Sequence, residues 1–182
     1  MSIYFDNAAT TVVCPEAAQA ALEMMTHNYG NPSSTYTLGR QAKRSLDAAR
    51  ADIAAALGAA PGEVFFTSCG SESDNWAILS GAESMKRRGR HVISSMTEHD
   101  AVRKSLDALK ERGFEVTLLK PNSAGGIDVS DVIPALRDDT VLVTLMMVNN
   151  ETGQLPTSPV FPVLLKKRDP PPCCTLTLYR VF

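Results

Sequence analysis

The sequence predicts an α/β protein, a mostly parallel sheet with helices on both faces. Three observations predict it. Segments of helical and strand character alternate along most of the chain; the longest apolar run, Val141 to Val148, is apolar at nearly every position, as a strand covered on both faces requires; and strand segments end in small or polar turns that open helices. No internal repeat is present. With 182 residues, 44% of them hydrophobic, the chain can build one domain with a real core more readily than two.

The elements follow in order. Pro15 stands where a first helical turn begins, and Ala18, Leu22 and Met25 recur at helical spacing, so a helix is expected to about His27. Tyr29 to Ser34 reads as loop. From Gly39, the stripe Leu46, Ala49, Ile53 and Leu57 predicts a second helix, with Gly58 as its stop. Val64 to Thr67 is short, apolar and β-prone, and it runs through Ser68 to Asn75 into a helical stretch holding Trp76, Ile78 and Leu79. Next come a strand from His91 to Ser95, a helix over about Asp100 to Arg112, a strand from Glu115 to Leu119, a short helix near Val129 to Leu136, and the Val141 to Val148 strand.

Composition excludes several function classes. A formal net charge of -2 with both signs scattered leaves no basic stripe for a nucleic acid backbone. No apolar stretch reaches the roughly 20 residues that span a bilayer, and the N-terminus carries no leader pattern, so a cytoplasmic, membrane-free chain is expected. Cys14, Cys69, Cys173 and Cys174 are spaced for neither a zinc site nor a disulfide framework; no metal site and reduced thiols are expected.

Ligands of open α/β sheets sit outside the carboxyl ends of the strands, and three polar clusters fall there. Gly70 and Ser71 follow a strand and open a helix, where backbone N–H groups and the helix dipole suit a phosphate; Ser71 and Glu72 also suit a plain N-cap and first-turn acid. His99, beside Glu98, follows the strand at Ser95; it reads either as a helix cap or as a functional imidazole. Asn149-Asn150-Glu151-Thr152-Gly153 ends the most buried strand, as turn chemistry or as ligand contact.

Five segments in order, FDNAATT, GNPSS, FTSCGSESDN, TEHDAV and VNNETG, resemble the cysteine desulfurases of the NifS/IscS type, within the class V aminotransferases. The resemblance runs over residues 5 to 153, and ESDN is more similar to this branch than to the selenocysteine lyases. It implies the large domain of fold-type I enzymes dependent on pyridoxal 5'-phosphate, here incomplete. It implies a homodimer that takes sulfur from L-cysteine, leaving alanine and a protein-bound persulfide for a sulfur-acceptor scaffold in iron–sulfur or thio-cofactor assembly. By the same resemblance, Gly70 and Ser71 match the turn that binds the cofactor phosphate. His99 matches the imidazole stacked on the pyridine ring and a candidate for proton transfer, and Asn150 a further cofactor contact. Tyr36 stands where the family pattern has a histidine.

The resemblance also sets expectations for the end of the chain. The family's next strand reads close to HVDAVQ, and later come the cofactor-bearing lysine and the nucleophilic cysteine; none of the three has a match here, so no desulfurase activity is expected of this chain by itself. Synonymous codons for Cys173 to Phe182, shifted by one base, can be read as LHVDAVQGF. The hypothesis is a frame shift in the codons of Pro170 to Pro172; gene sequencing that finds no HVDAVQ frame there refutes it.

The expected division is residues 1–20 as a segment of the small domain, 21–155 as the N-terminal part of the cofactor-binding large domain, and 156–182 as an aberrant, disordered tail. The strand at Val64 is expected to lack its sheet partner, leaving an edge open, and the longest strand to keep one apolar face exposed. The alternatives to an enzyme part are a non-catalytic fragment that binds or regulates a full-length desulfurase subunit and a nonfunctional frame-shift remnant.

Overall fold

The computed structural model describes residues 3–7 and 9–154 and the backbone strand at Cys173–Thr177. The chain divides into two compact units, one of Thr10–Phe66 and one of Met1–Ala9 with Thr67–Phe182. Helix α1, Pro15–Thr26, runs unbroken across the boundary expected at residue 20.

In the Thr10–Phe66 unit, α1 begins with Pro at its first turn, where the missing N–H costs nothing. Helix α2, Thr37–Leu57, ends at Gly58, whose φ of 65° is the left-handed cap that glycine adopts without a Cβ penalty. The loop before α2 is fixed by Asn31, whose side-chain oxygen accepts from the Ser33 N–H at 2.9 Å and whose carbonyl accepts from the Ser34 N–H at 2.9 Å. It lies so close to the helix that a Cβ on Gly39 would fall 2.4 Å from the Ser34 carbonyl oxygen and 2.6 Å from that of Asn31. Gly39→Ala is therefore expected to lower the stability of this unit by about 1–3 kcal/mol, read as faster proteolytic nicking between residues 31 and 36.

One expected strand does not form. Val64 to Thr67 is irregular backbone after a 3-10 turn at Pro61–Glu63, and Phe65 and Phe66 are exposed. β-propensity alone cannot make a strand, and among the described residues no neighbour completes the ladder. The segment is held instead by Arg50, which donates from Nε to the Val64 carbonyl at 3.3 Å and lies 5.2 Å from the centre of the Phe66 ring.

The other unit holds the sheet. Its helical run starts with α3, Gly70–Asn75, passes through a π turn at Trp76–Ser80, and ends with α4, Gly81–Met85. Strand β1, His91–Ser95, is followed by α5, Asp100–Glu111, then β2, Glu115–Leu119, α6, Val129–Ala135, and β3, Thr140–Met146. With β4, Cys173–Thr177, the four strands lie in the order β2-β1-β3-β4, all parallel. The expectation of disorder throughout 156–182 is corrected at β4, which pairs with β3 from Leu142 opposite Cys173 to Met146 opposite Thr177. Its sequence, Cys-Cys-Thr-Leu-Thr, has the β-branched character that suits a strand, and β3 offers a free ladder for it. The apolar face expected to be exposed on the longest strand is not: Val141 to Leu145 are all buried. The rest of 156–182 lies outside the described residues.

Alternate residues of β1 and β3 feed two cores. Val92 and Leu142 pack with Ile78, Val102, Leu106 and Leu109 on one face, while Ile93, Val143 and Leu145 pack with Val132 and Leu119 on the other. Each fully buried Ile, Leu or Val contributes about 1.5–3 kcal/mol, so helices are needed on both faces. At the opposite end of the sheet from the strand exits, His91 is fully buried and spans three strands. Its Nδ1 meets Thr140 Oγ1 and its Nε2 meets Thr117 Oγ1, each at 2.8 Å. Among the described residues no helix is long and apolar enough to cross a membrane.

Candidate functional site

The three polar clusters all belong to the sheet-bearing unit, at the exits of β1 and β3 and at the start of α3. The start of α3 is a locked turn. Glu72 folds its carboxylate back to accept from the Ser68 N–H at 2.6 Å and the Ser68 hydroxyl at 2.7 Å, and these bonds hold its acidity stronger than usual. Thr67 and Ser73 share a hydroxyl hydrogen bond of 2.6 Å. Asn75 donates to the Ser71 carbonyl at 2.6 Å and accepts from Ser105 of α5 at 2.9 Å, so the turn is clasped to the neighbouring helix. Asp74, between Ser73 and Asn75, is buried.

The Cys69 thiol is held below its ordinary range, first by the Glu72 backbone N–H, then by the Ser68 hydroxyl, with a smaller effect from the Ser71 N–H. Gly70 and Ser71, at the start of α3, are exposed.

His99 is the N-cap of α5, half-buried, and its Nδ1 accepts from the Ala101 N–H at 3.1 Å. That bond leaves Nε2 to carry the proton of the neutral ring. Since α3 packs on α5, the helix starts that carry Gly70 and Ser71 and His99 belong to neighbouring helices. Beyond β3, Asn149 and not Asn150 does the structural work: its Oδ1 accepts from Glu151 N and Thr152 N, both at 2.9 Å, and its Nδ2 donates to the Thr97 carbonyl at 3.1 Å. Asn150 is exposed in the turn.

Sequence reasoning passed over Glu98 as more than a neighbour of His99. Only 6% exposed, it accepts through Oε1 from Met146 N at 2.7 Å and from the Ser95 hydroxyl at 3.2 Å. Burial pushes its carboxyl up to about 7, against the pull of those two donors, and buried Asp74 adds to the rise. Charge this close to the start of a strand-exit helix was the available signal; its burial was not legible. Among the described residues, no cluster of His, Cys, Asp or Glu could hold a metal ion.

The sequence profile of the family described as aminotransferase class-V matches residues 3–169. A cysteine desulfurase IscS of Methanosarcina thermophila is 44% identical over 154 residues, which is 85% of this chain and 38% of that protein. A solved NifS-like protein, 33% identical, superposes with a TM-score of 0.91 over 97% of this chain and 48% of its own. The structure of SspA in complex with cysteine, also 33% identical, gives 0.86 over 92% of this chain and 48% of its own. The chain therefore spans about two-fifths of the length of the curated relative it matches.

Proposed function

The chain belongs to the class V aminotransferase family, and from that premise we propose that it forms the N-terminal part of the pyridoxal 5'-phosphate domain of a cysteine desulfurase. The reaction of the whole would take sulfur from L-cysteine, leave alanine, and hand a persulfide to an acceptor scaffold, in a homodimer. The IscS relatives and the cysteine-bound SspA structure support this substrate class.

The observation that carries the proposal is the exposed turn at Gly70 and Ser71 at the start of α3, clasped through Asn75 and Ser105 to the helix that His99 caps. These residues fit the cofactor. Gly70 and Ser71 would hold its phosphate, His99 would lie against its ring, and Asn150 would supply a further polar contact. When bound, pyridoxal phosphate supplies an electron sink for bond cleavage in an amino acid. The chain's own part is to bind and to orient, with the His99 ring held through its Nδ1 by the Ala101 N–H.

The test uses Trp76, the chain's single tryptophan, in the helical run that Gly70 opens. Its fluorescence should be quenched saturably by pyridoxal phosphate. His99→Ala should weaken that binding about tenfold, the worth of one aromatic stack. Quenching that is linear in concentration, or unchanged in the variant, would count against the assignment.

A further inference from the structure

We infer that Glu98 and Asn149 form a two-way staple between the segments leaving β1 and β3, and that through it Glu98 is the positioning residue for His99. Each segment reaches into the other. From the β1 exit, the Glu98 carboxylate takes the Met146 N–H at 2.7 Å; from the β3 exit, the Asn149 amide donates to the Thr97 carbonyl at 3.1 Å. Ser95, the last residue of β1, adds a hydroxyl bond to the same carboxylate oxygen at 3.2 Å. Two bonds in opposite directions leave the stretch between Thr97 and Glu98 little freedom, and His99 is the next residue along. Its ring is then held from the other side by the Ala101 N–H at 3.1 Å.

The carboxyl is costly where it stands. It is 6% exposed, and its Oε2 has no hydrogen-bond partner. An apolar side chain would fill the space without that cost. What the carboxyl supplies is a directed acceptor for a backbone N–H that would otherwise end β3 unpaired, in a place where water competes weakly. The charged group facing it is Asp74 of α3, which also favours the protonated carboxyl. The staple deepens the cofactor reading, on which it rests only for what His99 faces.

The experiment is NMR on the full chain without cofactor, as wild type, Glu98→Ala, Glu98→Gln and Asn149→Ala, following exchange of the Met146 amide and the His99 ring signals against those of His27 and His91. Glu98→Ala should speed Met146 exchange at least tenfold and displace the His99 signals. Glu98→Gln, which keeps an acceptor oxygen, should restore both. Asn149→Ala should displace His99 while leaving Met146 protected. His99 signals that stay in place in a folded Glu98→Ala chain would overturn the inference, as would Glu98→Gln displacing them as far as Glu98→Ala does. If Glu98→Ala does not fold, the Gln and Asn149 variants decide alone. Because no cofactor is added, failure of the staple is distinct from failure of pyridoxal phosphate to bind.

Discussion

Glu98→Gln should gain stability over the wild type by about 3 kcal/mol between pH 4 and pH 8, read from urea unfolding at both. Its carboxyl, ordinarily near 4.5, is pushed up to about 7 by burial, with Asp74 adding to the rise and Met146 N–H and the Ser95 hydroxyl opposing it. Between those values the unfolded chain has lost the proton and the folded chain still holds it. The folded state then binds more protons, so stability falls as pH rises through this window and is lowest above about 7. The gap corresponds to about 3 kcal/mol. Glutamine has no such proton, so the variant loses the slope. An equal difference at both pH values would show that the carboxyl is not buried as described.

His91→Ala should cost about 3 kcal/mol at pH 8, the largest loss expected from a single polar side chain here. The imidazole is fully buried, and its removal leaves a cavity and takes a partner from Thr117 and from Thr140; Thr140 keeps the Arg137 N–H at 2.8 Å. The pH dependence runs opposite to that of Glu98. Burial, with Arg137 adding to it, holds the ring's pKa below its ordinary 6.5, so the folded ring stays neutral where the unfolded one takes up a proton. Wild-type stability from this group is therefore present above about 6.5 and is lost as pH falls below it. His91→Ala should remove that acid loss, so its deficit should shrink toward lower pH. A deficit that does not change with pH would contradict a neutral, buried His91.

Much of the sheet was legible because its signals are local. His91–Ser95 and Glu115–Leu119 are strands at the expected bounds, since each is a short β-prone run between helical periods. Gly58 stops α2 as expected, for the conformational reason that made it readable. Val64 to Thr67 misled because strand formation depends on a neighbour that residue type cannot reveal. Cys173–Thr177 misled in the other direction: its unusual context drew attention from its plain β-propensity. At the site, Gly70, Ser71 and His99 were legible as residues at helix starts. The importance of Glu98 was not, because its partner Met146 lies 48 residues away in sequence. The split of labour within Asn149-Asn150 was hidden for a similar reason, since only the fold shows that Asn149 reaches Thr97.

The central claim is that the turn at Gly70 and Ser71, the His99 cap and the Asn150 turn together hold pyridoxal phosphate. The most direct measurement is a map of backbone amide shifts in the labelled chain as pyridoxal phosphate is added. The account predicts saturable changes gathered at Gly70, Ser71, His99 and Asn150. Changes gathered instead around Arg40, Lys43 and Arg50 of α2, or none that saturate, would contradict it.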